Sequence, residues 1–297
     1  MAEGHHIALN QQEIFLDALL KVTKDDFKTE WKSLQNEQDL HPQRSTVFQK
    51  ENLKPDKLAT NRYETVACND YQRVTINGGQ YIHANFVQNS VGKKFIIATQ
   101  GPLETTVADF WSMIVEQKTP LIVMLCNIIE DKFDNAKNEM VPTPKCFGYW
   151  PTLINTPIKT KSLFIYADKV EQIVFVMGQK QEKIIKTAIR IVDRKTNQIL
   201  HKLDHFQYVD WEDHSIPSST RPLMHLYKFY ILPAIKKGGG PIVVHCSAGI
   251  GRTGVFVAAI FMLDLFLHSR LVTMPRVRQK IQKCLSPHRP TSSCFVF

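Results

Sequence analysis

The chain predicts an α/β domain built on a mixed β-sheet flanked by helices, and three stretches carry that expectation. A β-branched run, Ile242-Val243-Val244, stops at His245-Cys246 and restarts beyond a glycine-containing loop as an apolar helix over 255–266. Residues 163–209 alternate in strand-length segments broken by turn residues, which is the pattern of an antiparallel meander. Residues 120–126 form a short apolar run of the length expected for a fully buried strand. A chain of 297 residues, 43% of them hydrophobic, can bury one large core, and ~250 residues in a single α/β domain is ordinary. The expected division is a flexible tail over 1–10, N-terminal helices and an extended segment packed on the domain over 11–58, and one domain over 59–297.

Taken in order, Phe15, Leu16, Leu19 and Leu20, then Phe27, Trp31 and Leu34, recur at helical spacing and predict two amphipathic helices. Residues 36–58 are polar and broken by Pro42 and Pro55, so they read as extended loop with no compact element. Asn77-Gly78-Gly79 is a turn between strands over 70–74 and 81–87. A strand over 93–99 leads through Gln100-Gly101-Pro102 to a helix whose Val107, Phe110, Trp111 and Ile114 form one apolar stripe. Residues 132–144 are polar and contain prolines, which predicts a long mobile loop. Strands follow over 163–176, 183–193 and 199–209, then a turn-rich segment at 211–217 and one helix over about 222–235.

The balance of 37 basic against 28 acidic residues gives +9, but Lys and Arg are spread along the chain without a dense run, so no nucleic-acid partner is expected. Six cysteines, at 68, 126, 146, 246, 284 and 294, show neither CxxC nor metal-ligand spacing, and suit a reducing, cytoplasmic setting. The longest apolar run, 255–263, is too short to span a bilayer, and the N-terminus lacks a signal pattern. Neither a metal nor another cofactor is called for, and a monomer is expected.

The loop Cys246-Ser247-Ala248-Gly249-Ile250-Gly251-Arg252 joins a strand to a helix N-terminus, where inward-turned amides and the helix dipole make an oxyanion cup. A positive cup favours thiolate over thiol, which makes Cys246 a nucleophile candidate. Arg252 adds a planar charged fork that matches two phosphate oxygens bidentately. A nucleotide P-loop would need lysine before the Ser/Thr; here arginine precedes Thr253. His-Cys, five residues, Arg-Thr-Gly over 245–254 resembles the signature of the protein tyrosine phosphatases. Asn61-Arg62-Tyr63, Thr99-Gln100-Gly101-Pro102, Asp109-Phe110-Trp111 and Val123-Met124-Leu125 resemble further blocks of that family, so most of residues 60–256 is covered.

The resemblance implies a highly twisted mixed sheet, hydrolysis of phosphotyrosine, and tyrosine-phosphorylated proteins as partners. It implies Cys246 as nucleophile, Arg252 and the loop residues Ser247, Ala248, Gly249, Ile250 and Gly251 as the phosphate site, and Tyr63 as the wall that makes the pocket deep. Asp213 would be the general acid, carried on a lid anchored by Trp211. His245 would orient the loop, and Thr253 would offer its hydroxyl to the Cys246 sulfur. Asp131, with Glu130 beside it, falls where the family places a glutamate that pairs with the signature arginine, and Lys145 precedes the Cys146 to Pro151 block. Two departures stand out: the family's Trp-Pro-Asp reads Trp211-Glu212-Asp213, and after a helix over 274–283 the run 284–297 lacks the glutamines that position hydrolytic water. A divergent or truncated C-terminal end follows, as does the alternative of a phosphotyrosine-binding or substrate-trapping module with impaired turnover.

Overall fold

The computed structural model describes residues 45–55, 59–134, 136–213 and 215–268, with a few isolated positions between 23 and 32. The expected tail, most of the two N-terminal helices, the helix over 274–283 and the run 284–297 lie outside the described residues. The described elements are α1 (Thr46–Glu51), β1 (Arg73–Ile76), β2 (Gln80–Gln88), β3 (Lys94–Thr99), α2 (Val107–Glu116), β4 (Leu121–Met124), β5 (Ile129–Asp134), β6 (Glu139–Pro144), β7 (Ile158–Lys159), β8 (Leu163–Met177), β9 (Lys180–Asp193) and β10 (Ile199–Tyr208). After them come α3 (Arg221–Leu226), a π-helical segment (Tyr227–Ile231), α4 (Leu232–Lys237), β11 (Ile242–His245) and α5 (Gly251–His268).

Nine strands form one mixed sheet in the order β1-β2-β3-β11-β4-β10-β9-β8-β7. β3, β11, β4 and β10 run parallel at its centre, and antiparallel strands extend it on both sides. The parallel strands are buried, Ile242 to His245 and Leu121 to Met124 being covered throughout, which is why they read as unbroken apolar runs. The meander 163–209 is present as β8, β9 and β10. Its exposure alternates, so it was legible from period 2.

Helix α2 buries Val107, Phe110, Trp111, Met113 and Ile114. The Trp111 indole N–H donates to the Tyr149 carbonyl at 2.9 Å, and truncating such a buried Trp costs about 3–5 kcal/mol. Helix α5 buries Phe256, Val257, Ile260, Phe261 and Leu265 in the same core cluster, as an apolar helix with no strong polar face must.

Three expectations are corrected. Residues 46–51 form a helix inside the segment read as loop, because Asp70, 24 positions away, accepts the Thr46 N–H at 2.8 Å and the Val47 N–H at 3.3 Å. Phe48 from that turn then packs on Cys68 and Tyr81. The segment expected as a mobile loop is instead an antiparallel ribbon of β5 and β6, with Phe133 opposite Met140 and Asp131 opposite Pro142; a two-stranded ribbon is all edge, so its prolines do not break it. The helix expected over 222–235 is interrupted by the π-helical turn. Pro233 lacks an N–H and its ring clashes with the carbonyl four residues back, which the wider turn relieves.

Candidate active site

The carboxyl ends of the four parallel strands converge, which is where open α/β sheets place their sites. β11 delivers the Cys246 loop, β3 delivers Gln100-Gly101, β4 leads into the Glu130 ribbon, and β10 leads into the loop carrying Trp211 and Asp213. The Ser247 carbonyl accepts the Gly101 N–H at 2.8 Å, and the Cys246 carbonyl lies 3.0 Å from His245 Nδ1. In a trans peptide the following N–H points the opposite way, so the amides of Ser247 and Ala248 turn away from these partners and into the cup.

Two glycines make this possible. A Cβ on Gly101 would sit 2.7 Å from the Cys246 carbonyl oxygen. Gly249 has φ +78°, and its Cβ would lie 2.3 Å from the Thr99 carbonyl oxygen. Only glycine satisfies both the left-handed turn and the close approach.

Arg252 is buried at the start of α5. Its Nη1 donates to Glu130 Oε1 at 2.6 Å and to the Trp211 carbonyl at 2.8 Å; Nη2 donates to Glu130 Oε2 at 3.0 Å and lies 3.4 Å from Asp213 Oδ1. Burial disfavours its charge, but the hydrogen bonds to Glu130 outweigh that, so its pKa lies above the ordinary arginine value. Nε of Arg252 and the Thr253 hydroxyl are buried without a hydrogen-bond partner among the described residues.

The expectation for Asp131 is overturned: Glu130 makes the bidentate pair. Side chains alternate along a strand, so the one-residue step from Glu130 to Asp131 in β5 sends Asp131 to the other face, where it is exposed. The spacing count pointed one residue too far, and the adjacent glutamate was the signal that would have corrected it.

Lys145 places its Nζ 2.7 Å from Asp213 Oδ2. Asp213 is thus held between Lys145 and Arg252 in this conformation. Trp211 is buried, its indole N–H donating to the Ser215 carbonyl at 3.0 Å, so the loop closes on itself. Ser247 Oγ donates to the Lys145 carbonyl at 2.8 Å. That uses its one hydrogen, so the Tyr63 hydroxyl, 2.8 Å away, donates to Ser247. Tyr63 therefore stands at the loop. Arg62, which the sequence reading passed over, fixes it there: Nε donates to the Gly101 carbonyl at 2.9 Å and Nη2 to the Pro102 carbonyl at 2.7 Å.

Behind the loop lies a buried chain that the sequence reading also missed. His245 Nδ1 must donate to the Cys246 carbonyl, and burial pushes the His245 pKa down to about 4, so the ring is neutral and Nε2 is an acceptor. The Tyr149 hydroxyl, 2.7 Å away, then donates to His245 and accepts from His205 Nε2 at 2.8 Å. Burial likewise pushes the His205 pKa well below the usual range. Cys126 and Cys146, also near Cys246, are held as thiols by burial, Cys146 being pushed up to about 12.

A thiol beside an amide-lined loop, with a buried arginine clamp and a carboxyl on an adjacent loop, is an arrangement on a mixed α/β sheet that suits a phosphoryl group. The model of the protein-tyrosine phosphatase family matches residues 57–291, and the chain belongs to that family. Mouse tyrosine-protein phosphatase non-receptor type 5 is 35% identical over 217 residues, covering 69% of this chain and 35% of the relative. Rat non-receptor type 7 is 34% identical over 213 residues, covering 69% of this chain and 52% of the relative. The chain thus spans between about a third and about a half of the length of these relatives. The solved catalytic domain of human protein tyrosine phosphatase non-receptor type 18 is similar in fold, with TM-score 0.73 and 24% identity over 93% of each chain. A structure described as that phosphatase in complex with HER2 phosphopeptides is similar with TM-score 0.69 and 25% identity, over 87% of this chain and 91% of the other.

Proposed function

We propose that the chain hydrolyses phosphotyrosine in proteins through a cysteinyl-phosphate intermediate. The observation that carries this reading is Arg252, buried at the end of the Cys246 loop and held by Glu130, with Asp213 3.4 Å from its guanidinium. In the first step Cys246 Sγ bonds to phosphorus as the bond to the tyrosine oxygen breaks. Asp213 delivers its proton to that oxygen, so tyrosine leaves neutral; acids of this kind contribute ~10²–10⁴-fold. The Ser247 and Ala248 amides and Arg252 Nε receive the phosphoryl oxygens. In the second step water attacks phosphorus, Asp213 takes its proton, and the sulfur departs, with the buried Thr253 hydroxyl, which has no partner among the described residues, offered to it.

Tyr63 at the rim supports phosphotyrosine over shorter phosphorylated side chains, and the phosphopeptide complex of the non-receptor type 18 enzyme accords with a tyrosine-phosphorylated protein as substrate. His245, neutral and bonded to the loop backbone, orients the loop and takes no part as a base. The four described cysteines, 68, 126, 146 and 246, are all free and buried, which supports a reducing, cytoplasmic setting for a signalling phosphatase. Among the described residues no helix is long and apolar enough to cross a membrane.

The test is Cys246→Ser assayed on a phosphotyrosine peptide. Turnover is expected to vanish while peptide binding persists, because the hydroxyl is the weaker nucleophile and the cup is intact. Turnover above background in the variant would overturn the reading.

A further inference from the structure

Glu182, the third residue of β9, is 2% exposed, and none of the chemistry above uses it. A buried carboxyl is costly unless hydrogen-bonded, and the two partners of this one flank the loop that carries Asp213. The Tyr208 hydroxyl, at the end of β10 and three residues before Trp211, donates to Oε2 at 2.8 Å. The Ser218 hydroxyl, five residues after Asp213, donates to Oε1. Backbone contacts of the next residue reinforce the grip: the Lys183 N–H donates to Asp210 Oδ2 at 2.6 Å, and its carbonyl accepts the Val209 N–H at 3.3 Å. One end of β9 therefore holds both roots of the 209–217 loop.

We propose that Glu182 is a positioning residue for the general acid: by binding Tyr208 and Ser218 together it closes the base of the loop and holds Asp213 over Arg252. The inference rests on the reading of Asp213 as the acid. It gains force from Glu212. A proline there would fix φ near −65° and stiffen the loop from within, whereas Glu212 is exposed and sets no such limit on φ, although its carbonyl accepts the Ser215 hydroxyl at 2.8 Å. The stiffness is supplied from outside, by a carboxyl that bridges the two roots. Tyr208 suits the task, since burial raises its pKa and keeps it a donor.

The test compares Glu182→Ala, Asp213→Ala and the double variant on phenyl phosphate, whose leaving group needs the proton, and on p-nitrophenyl phosphate, whose leaving group needs it less. For Glu182→Ala, kcat on phenyl phosphate is expected to fall about 10- to 100-fold, the scale of a misplaced catalytic group, with a loss under about 3-fold on p-nitrophenyl phosphate. KM should stay near that of the wild type, and the double variant should be no slower than Asp213→Ala alone, because a positioning residue has nothing left to position. Equal losses on both substrates, no loss, or additive losses, with Asp213→Ala still selective for the poor leaving group, would overturn the inference and leave the acid in place. Equal losses in Asp213→Ala itself would overturn the acid and, with it, the inference. Should Glu182→Ala not fold, Tyr208→Phe and Ser218→Ala each remove one hydroxyl and leave the carboxyl. Both are expected to lose several-fold on phenyl phosphate alone, and an unchanged leaving-group dependence in both would overturn the proposal.

Discussion

Replacing Glu130 with alanine removes both carboxylate oxygens from Arg252, the contacts at 2.6 and 3.0 Å. The Arg252 and Glu130 side chains are 3% and 9% exposed, so the pair is shielded from water and the remaining guanidinium cannot recover its hydration. Breaking a buried pair from one side costs about 3–5 kcal/mol, mostly as the penalty of the stranded charge. At about 2–4 °C per kcal/mol for a domain of this size, the melting temperature should fall by about 6–20 °C. The catalytic loss should be larger than folding alone explains, since Arg252 would no longer be aimed, and about 100-fold in kcat/KM is the expected scale. Asp131→Ala is the control: the side chain is exposed on the far face of β5, and such substitutions stay within about 0.5 kcal/mol. Thermal unfolding and steady-state kinetics on a phosphotyrosine peptide, at a temperature where both variants are folded, decide between them. A neutral Glu130→Ala, or an Asp131→Ala that loses stability and activity, would refute the pairing.

Acidification should destabilise the fold through His245. Its pKa is about 4 folded against 6.5 as a free side chain, so the unfolded state takes the proton first. The stability is therefore fully present above about pH 6.5 and declines by about 3 kcal/mol as pH falls to 4; urea unfolding of wild type against His245→Asn over that range should show a gap that narrows on acidification, and a constant gap would contradict the assignment. Gly249→Ala should cost about 100-fold in turnover, because the added methyl meets the Thr99 carbonyl at 2.3 Å in a left-handed backbone; a variant with wild-type kinetics would show that the loop tolerates another path. No glutamine stands in 284–297, outside the described residues, so for a polypeptide of residues 1–297 hydrolysis of phosphocysteine is expected to limit the rate. Rapid mixing should then give a burst of phenol followed by slow turnover, with phosphoenzyme trapped by acid. Linear release from the first turnover would instead assign the water to Gln279 or Gln282.

Much of this protein is written locally. Unbroken apolar runs announced the buried parallel strands β4 and β11, period-2 alternation announced the meander, and the order His245, Cys246, Gly249, Gly251, Arg252 announced the anion cup. Each follows from the conformational preferences and chemistry of residues close in the chain. What the tertiary structure decided depends on partners far apart. Helix α1 exists because Asp70 caps it across 24 positions, a bond worth nothing to the isolated segment. Prolines in 132–144 argue for loop until the pairing of β5 with β6 places them on a ribbon. The choice of Glu130 over Asp131 is a register choice: both are acidic and adjacent, and only the direction of a pleated strand towards a buried arginine separates them. The same holds for Glu182, an ordinary polar residue in a strand until the fold brings Tyr208 and Ser218 to its two oxygens. Local sequence determines what each segment can become; the desolvation of charged and polar groups, felt only once the chain is packed, determines which of them meet.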